Sequence, residues 1–169
     1  SNAFIYGGMA CGILTLLGDL IKGVLPVLLY LRMTRGNIDA YFAPVLAAPV
    51  LGHIFPVFYR FKGGKGIAVS FGCLLGMLPV SQPLLTLAVI YVVLSVGICV
   101  SPHYYRTIVT YTLFAAVTAL YNSRFNVSVG ITLGCLLISV LIIYRHLKSR
   151  EAKQKFTVSF APLQFLIRR

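Results

Sequence analysis

The segment from Gly52 to Gly66 brings together residue types that handle phosphate. Gly63, Gly64 and Gly66 flank Lys62 and Lys65, and His53 lies ten residues before Gly63. Glycines leave backbone N–H groups open to close approach by an anion, and the lysines add charge. A helix start just after Gly66 would add its dipole. His53 falls near the same boundary, where an imidazole can donate a hydrogen bond or move a proton. This is not a nucleotide P-loop, because the G-x-x-x-x-G-K-[ST] spacing is absent and Ile67 stands where the magnesium-binding hydroxyl belongs.

Asp19 and Lys22 form a second constellation. Both lie inside an apolar run, where ionisable groups are costly and pair or serve function. Their i, i+3 spacing places them on one helix face, within salt-bridge reach. Two roles fit: a structural ion pair, or a Lys22 that faces phosphate while Asp19 orients it. Other chemistry is thinly supplied. No Ser-His-Asp set can be composed from Asp19, Asp39 and Glu151, and His53, His103 and His146 fall in separate segments, so no metal site is expected. Cys11, Cys73, Cys99 and Cys135 sit singly in apolar runs and read as packing residues.

The elements that must carry these groups are membrane helices. Charged residues make up 11% of the 169-residue chain and hydrophobic ones 59%, with mean hydropathy +0.90. A soluble domain carries about 25% charged residues, too many more for this chain to build a water-facing surface. Apolar runs over roughly 9–31, 40–59, 66–80, 84–101, 107–122 and 127–144 predict an all-α polytopic bundle of about six transmembrane helices. The third run is brief, which predicts tilting or a re-entrant course. Pro44, Pro49 and Pro56 predict kinks in the second. Gly8/Gly12, Gly72/Gly76 and Gly130/Gly134 are spaced for close helix contacts.

Residues 1–150 read as one helical domain with loops at its ends, and 151–169 as a basic tail, interfacial or disordered. The net charge of +12 concentrates at the ends of apolar runs. It therefore suits lipid headgroups or phosphorylated substrates rather than nucleic acid, which needs a continuous basic face. Arg60, Lys62, Lys65, Arg106, Arg145, Lys148 and the basic tail gather on one side, against Arg32, Arg35 and Arg124 on the other. The positive-inside rule makes the glycine-rich side cytoplasmic.

The run G-H-I-F-P-V-F-Y-R-F-K-G-G-K-G-I-A, Gly52 to Ala68, closely resembles the second signature of the bacterial acyl-phosphate:glycerol-3-phosphate acyltransferases, G-H-x-x-P-x-F-x-x-F-K-G-G-K-G-V-A. Asn2-Ala3, Gly8 and Asp19-x-x-Lys22-Gly23 look like the end of the first signature and its following helix. Arg145-His146 looks like the start of the third. The resemblance implies a seven-helix fold in the bacterial inner membrane, its first helix lying before Ser1. It implies transfer of a fatty acyl group from acyl phosphate to the sn-1 hydroxyl of glycerol 3-phosphate, giving lysophosphatidic acid among membrane lipids. Acyl phosphate is already activated, so no metal, cofactor or covalent nucleophile is required. Two anion cradles and an apolar slot would suffice, acting through proximity and charge.

On this reading Asn2, Lys22, Lys62, Gly63, Gly64, Lys65, Gly66 and Arg145 bind substrate, while His53 and His146 serve catalysis as donors or proton handlers. Some positions depart from the family pattern: Ile5 stands where an arginine is usual, and Ser149 where an asparagine is. These departures favour an alternative, a degenerate paralogue that binds lipid or acyl phosphate without turnover.

Overall fold

A computed structural model describes residues 2–61, 63–97, 100–101, 103–125, 128–148 and 157–158, with backbone alone for 2–6, 97, 100, 101, 103, 157 and 158. Six α-helices follow in chain order: α1 (Asn2–Met33), α2 (Phe42–Ile54), α3 (Ile67–Leu75), α4 (Gln82–Val92), α5 (His103–Phe125) and α6 (Val129–Leu147). A 3-10 turn at Val57–Tyr59 follows α2, and a π-helical turn at Val93–Gly97 extends α4. Val100–Ser101 pairs antiparallel with Thr157–Val158, the only described part of the basic tail.

Every apolar run contains a helix, but the helices are unequal. Gly7–Met33, Phe42–Tyr59 and Val129–Leu147 are long and apolar enough to cross a membrane. The nine residues of α3 rise only about 13 Å at 1.5 Å each, less than half of a hydrocarbon core about 30 Å thick. The brief third run, expected to tilt or re-enter, accordingly holds a half-length helix, α3, enclosed by its neighbours.

Small residues set the packing. α1 crosses α3, α2 packs along α6, and α5 lies against α6 and α4. A Cβ added at Gly72 would strike the Leu20 carbonyl group, with Leu20 C at 3.0 Å, and one at Gly23 would meet Cys73 N at 2.8 Å. The α1 and α3 backbones therefore touch. Gly130 abuts the Asp39 carbonyl and Gly134 the Leu46 side chain, fixing α2 on α6 in the same way. In lipid such close approach supplies the dispersion contacts that a hydrophobic driving force supplies in water. Gly72→Ala should consequently destabilise the protein by about 1–3 kcal/mol, the scale of core overpacking, and thermal unfolding in detergent measures this.

Gly8 behaves otherwise. It has nothing within 4 Å of a built Cβ and a φ of 74°, so it kinks α1 rather than packing it. Pro56 likewise does not kink α2. The helix stops at Ile54: Phe55 leaves the helical region (φ −122°, ψ 62°), which the residue before a proline avoids, and Pro56 is extended. Beneath these elements a continuous core joins Val27, Phe42, Leu46, Val50 and Ile54 to Val69, Leu74, Tyr111, Phe114 and Ile138.

Candidate active site

The site forms where α1, the end of α2 and the glycine loop meet. Pro26 in α1 and Pro49 in α2 lack the N–H groups that would bond the carbonyls of Lys22 and Val45, four residues back. All four residues line one groove of about 640 Å³ with Ala48, Gly52, His53, Pro56, Tyr59, Gly63 and Gly64. Its floor of Pro26, Val45, Ala48 and Pro49 is apolar, and its polar groups collect at one end, around Lys22 and His53.

There Lys22 Nζ lies 2.5 Å from Asp19 Oδ1 and 2.6 Å from His53 Nδ1. Asp19 Oδ1 is 3.6 Å from the same imidazole nitrogen. An ammonium has only donors, so His53 Nδ1 must accept, and its proton resides on Nε2. The i, i+3 pair foreseen in the sequence is present. Its third member, His53 from the next helix, is not visible in spacing, because thirty-one positions separate it from Lys22.

The loop is held from both sides. Gly63 N–H donates to Ile54 O and Gly64 N–H to His53 O, each at 3.2 Å. The glycine N–H groups expected to face an anion are therefore engaged at these two positions. The reason is local: the last carbonyls of α2 lack intrahelical donors, and the returning chain supplies them. From the opposite side Arg145 of α6 donates from Nε to Gly64 O at 3.1 Å and from Nη2 to Gly63 O at 2.8 Å. Arg145, expected as a substrate ligand, thus grips the loop itself.

Glycine is required for space as well as for turning. A Cβ on Gly64 would press into the His53 ring, 2.7 Å from Cε1, and one on Gly63 would meet Ile54 O at 2.6 Å. Gly66 has φ 81° and closes the loop as the N-cap of α3, against Ile54 and Val50. Lys65 is exposed beside it. Ser70, one turn into α3, shares a 2.5 Å hydrogen bond with Tyr111 of α5 and anchors this end of the helix.

The remaining expected residues stand apart. Lys62 lies outside the described residues, as does the side chain of Asn2. About 20 Å of helix separates Gly8 from Lys22, and the six residues before Gly8 are helical and rise only about 9 Å, so Asn2 is not brought to the groove. His146 is buried, with 1% of its surface exposed, and its Nδ1 bonds Ile142 O at 2.9 Å. One residue on from Arg145 turns it about 100° around α6, away from the loop. Among the described residues no three His, Cys, Asp or Glu side chains gather as a metal would need.

A family model described as Glycerol-3-phosphate acyltransferase matches residues 1–152. The chain belongs to this family. A glycerol-3-phosphate acyltransferase of Neisseria meningitidis serogroup C is 36% identical over 162 residues, covering 90% of this chain and 77% of the relative. One from Shewanella loihica is 36% identical over 161 residues, covering 90% and 73%. The fold is that of a solved integral membrane glycerol 3-phosphate acyltransferase, PlsY (YgiH), in its lysophosphatidic acid form. That structure aligns with a TM-score of 0.68 and 27% identity over 89% of this chain and 71% of the other. Its glycerol 3-phosphate form, at 24% identity and the same TM-score, supports the fold. The chain is accordingly an all-α integral membrane protein of the acyltransferase family.

Proposed function

We propose that this acyltransferase uses acyl phosphate as donor and glycerol 3-phosphate as acceptor, at the cytoplasmic face of the bacterial inner membrane. One observation carries the reading: a single groove, walled by Gly63 and Gly64, has a cationic, hydrogen-bonding end at Lys22 and His53 and an apolar floor at Pro26, Val45, Ala48 and Pro49. That is the shape and polarity of an amphiphile with an anionic head. Its volume falls within the roughly 300–1,000 Å³ usual for small-molecule sites.

In this arrangement the acyl chain lies along the prolines and the phosphate meets Lys22. His53 is fixed as an Nε2 donor by Lys22, so it stabilises negative charge and does not take a proton. The acceptor hydroxyl oxygen bonds to the acyl carbon as the carbon–oxygen bond to phosphate breaks. The hydroxyl proton then leaves on the departing phosphate. Glycerol 3-phosphate draws on the basic side of the loop, where Lys65 and, from the sequence, Lys62 stand beside the start of α3.

The test is lysophosphatidic acid formation by the reconstituted protein, with acyl phosphate or acyl-CoA offered as donor. Product from acyl phosphate alone is expected. A folded protein that binds acyl phosphate but yields no product would instead establish the non-catalytic reading. Lys22→Met should lower kcat/KM by about 10–150-fold, the equivalent of one charged hydrogen bond at about 1.5–3 kcal/mol. An unchanged kcat/KM would remove Lys22 from the phosphate site.

A further inference from the structure

We propose that the turn Val57–Phe61 is a membrane-interface anchor, seated among lipid headgroups, that opens the groove mouth sideways to the bilayer rather than to water. The turn forms the end of the candidate membrane-spanning segment Phe42–Tyr59 and runs two residues past it. It presents Val57, Phe58, Tyr59 and Phe61 at 70%, 97%, 74% and 61% exposure. Four exposed hydrophobic side chains within five residues form a surface that water disfavours. Aromatic rings with a polar margin instead concentrate at headgroup depth.

The turn is built to show these side chains. Tyr59 N–H and Phe61 N–H both donate to Pro56 O, at 3.2 and 3.0 Å, and Arg60 N–H donates to Val57 O at 3.3 Å. Arg60 and Phe61 hold φ values of 52° and 59°, a left-handed geometry costly for side-chain-bearing residues and kept where the surroundings impose it. The backbone closes on itself while the rings project outward. Charge points to the same occupant: residues 55–66 include Arg60, Lys62 and Lys65 and no acid, and basic residues at this depth attract anionic headgroups. Tyr59 belongs both to this turn and to the groove lining, so the anchor and the groove mouth share a residue. What enters there rests on the acyl-phosphate reading, whereas the seating of the turn does not.

The chain contains no tryptophan, so Phe58→Trp installs a single fluorophore at the tip. The full chain carrying it is reconstituted in phosphatidylglycerol–phosphatidylethanolamine vesicles and quenched with lipids brominated at successive acyl positions, or with aqueous acrylamide. Blue-shifted emission is expected, with quenching strongest from bromines nearest the headgroups and acrylamide quenching well below that of free tryptophan. Emission and acrylamide quenching like free tryptophan, with no lipid quenching, would overturn the proposal. So would shielding that varies with protein-to-lipid ratio, which would indicate a second copy of the chain on the turn.

Phe58→Ser supplies a functional arm. Transfer from a long-chain, membrane-borne acyl phosphate should fall by about tenfold, the scale of withdrawing one large apolar side chain, with transfer from a short, water-soluble acyl phosphate unchanged. An equal loss with both donors would count against lateral entry. If the unmodified protein transfers from neither donor, the proposed function fails, and the quenching result still decides the seating.

Discussion

Gly64→Ala is expected to cut acyl transfer by about 100-fold, the cost of misplacing a reacting group by roughly 1 Å. The added methyl would enter the space of the His53 ring, 2.7 Å from Cε1 and 3.1 Å from Cδ2. The ring cannot swing aside freely, because Lys22 holds Nδ1 at 2.6 Å and Asp19 in turn holds Lys22. Either His53 leaves Lys22 or the loop leaves α2, and both separate the donors that must face one phosphate. Stability should fall by only about 1–3 kcal/mol, as for other overpacked sites. The assay is therefore kcat/KM beside thermal unfolding in detergent, and a variant with full activity would sink the assignment of His53 to the groove.

Two companions make the result interpretable. Gly52→Ala alters another groove glycine, but nothing lies within 4 Å of its Cβ, so its melting temperature should stay that of the parent. Combining Gly64→Ala with His53→Ala removes the collision. Stability should return while transfer stays low, because the Nε2 donor is gone. Recovery of both would mean that His53 is a packing residue.

The same residues show what the sequence could and could not convey. Helix existence was legible throughout, since each apolar run encodes one, and so were the close contacts at Gly72, Gly76, Gly130 and Gly134. The Asp19–Lys22 pair follows from helical spacing alone. Its union with His53 does not, because that depends on how α1 crosses α2. The glycine loop was recognisable as chemistry-bearing, but the use of its N–H groups was not. Counting donors in the loop suggests an anion cradle, while counting the unpaired carbonyls at the end of α2 assigns two of those donors to the protein. Arg145 and His146 illustrate the limit most directly. Adjacent in sequence and both basic, they point about 100° apart on one helix, so one grips the loop and the other is buried, bonded to the Ile142 carbonyl of its own helix.

That grip makes Arg145 the other position of large expected effect. Its guanidinium spans the carbonyls of Gly63 and Gly64 at 2.8 and 3.1 Å, a planar fork matched to two adjacent acceptors. Charged hydrogen bonds contribute about 1.5–3 kcal/mol each, so Arg145→Ala should lower activity by about 100-fold or more by depopulating the gripped loop. Arg145→Lys should recover only part of this, since an ammonium is a point charge without the fork. The kinetic split identifies the role. A residue that binds substrate directly would raise KM for one substrate, whereas one that positions the loop should lower kcat and weaken both substrates together. Added guanidinium ion should partly restore the alanine variant and leave the lysine variant unchanged. A rise in KM for glycerol 3-phosphate alone, with kcat intact, would return Arg145 to the substrate and leave the loop to be held by α2.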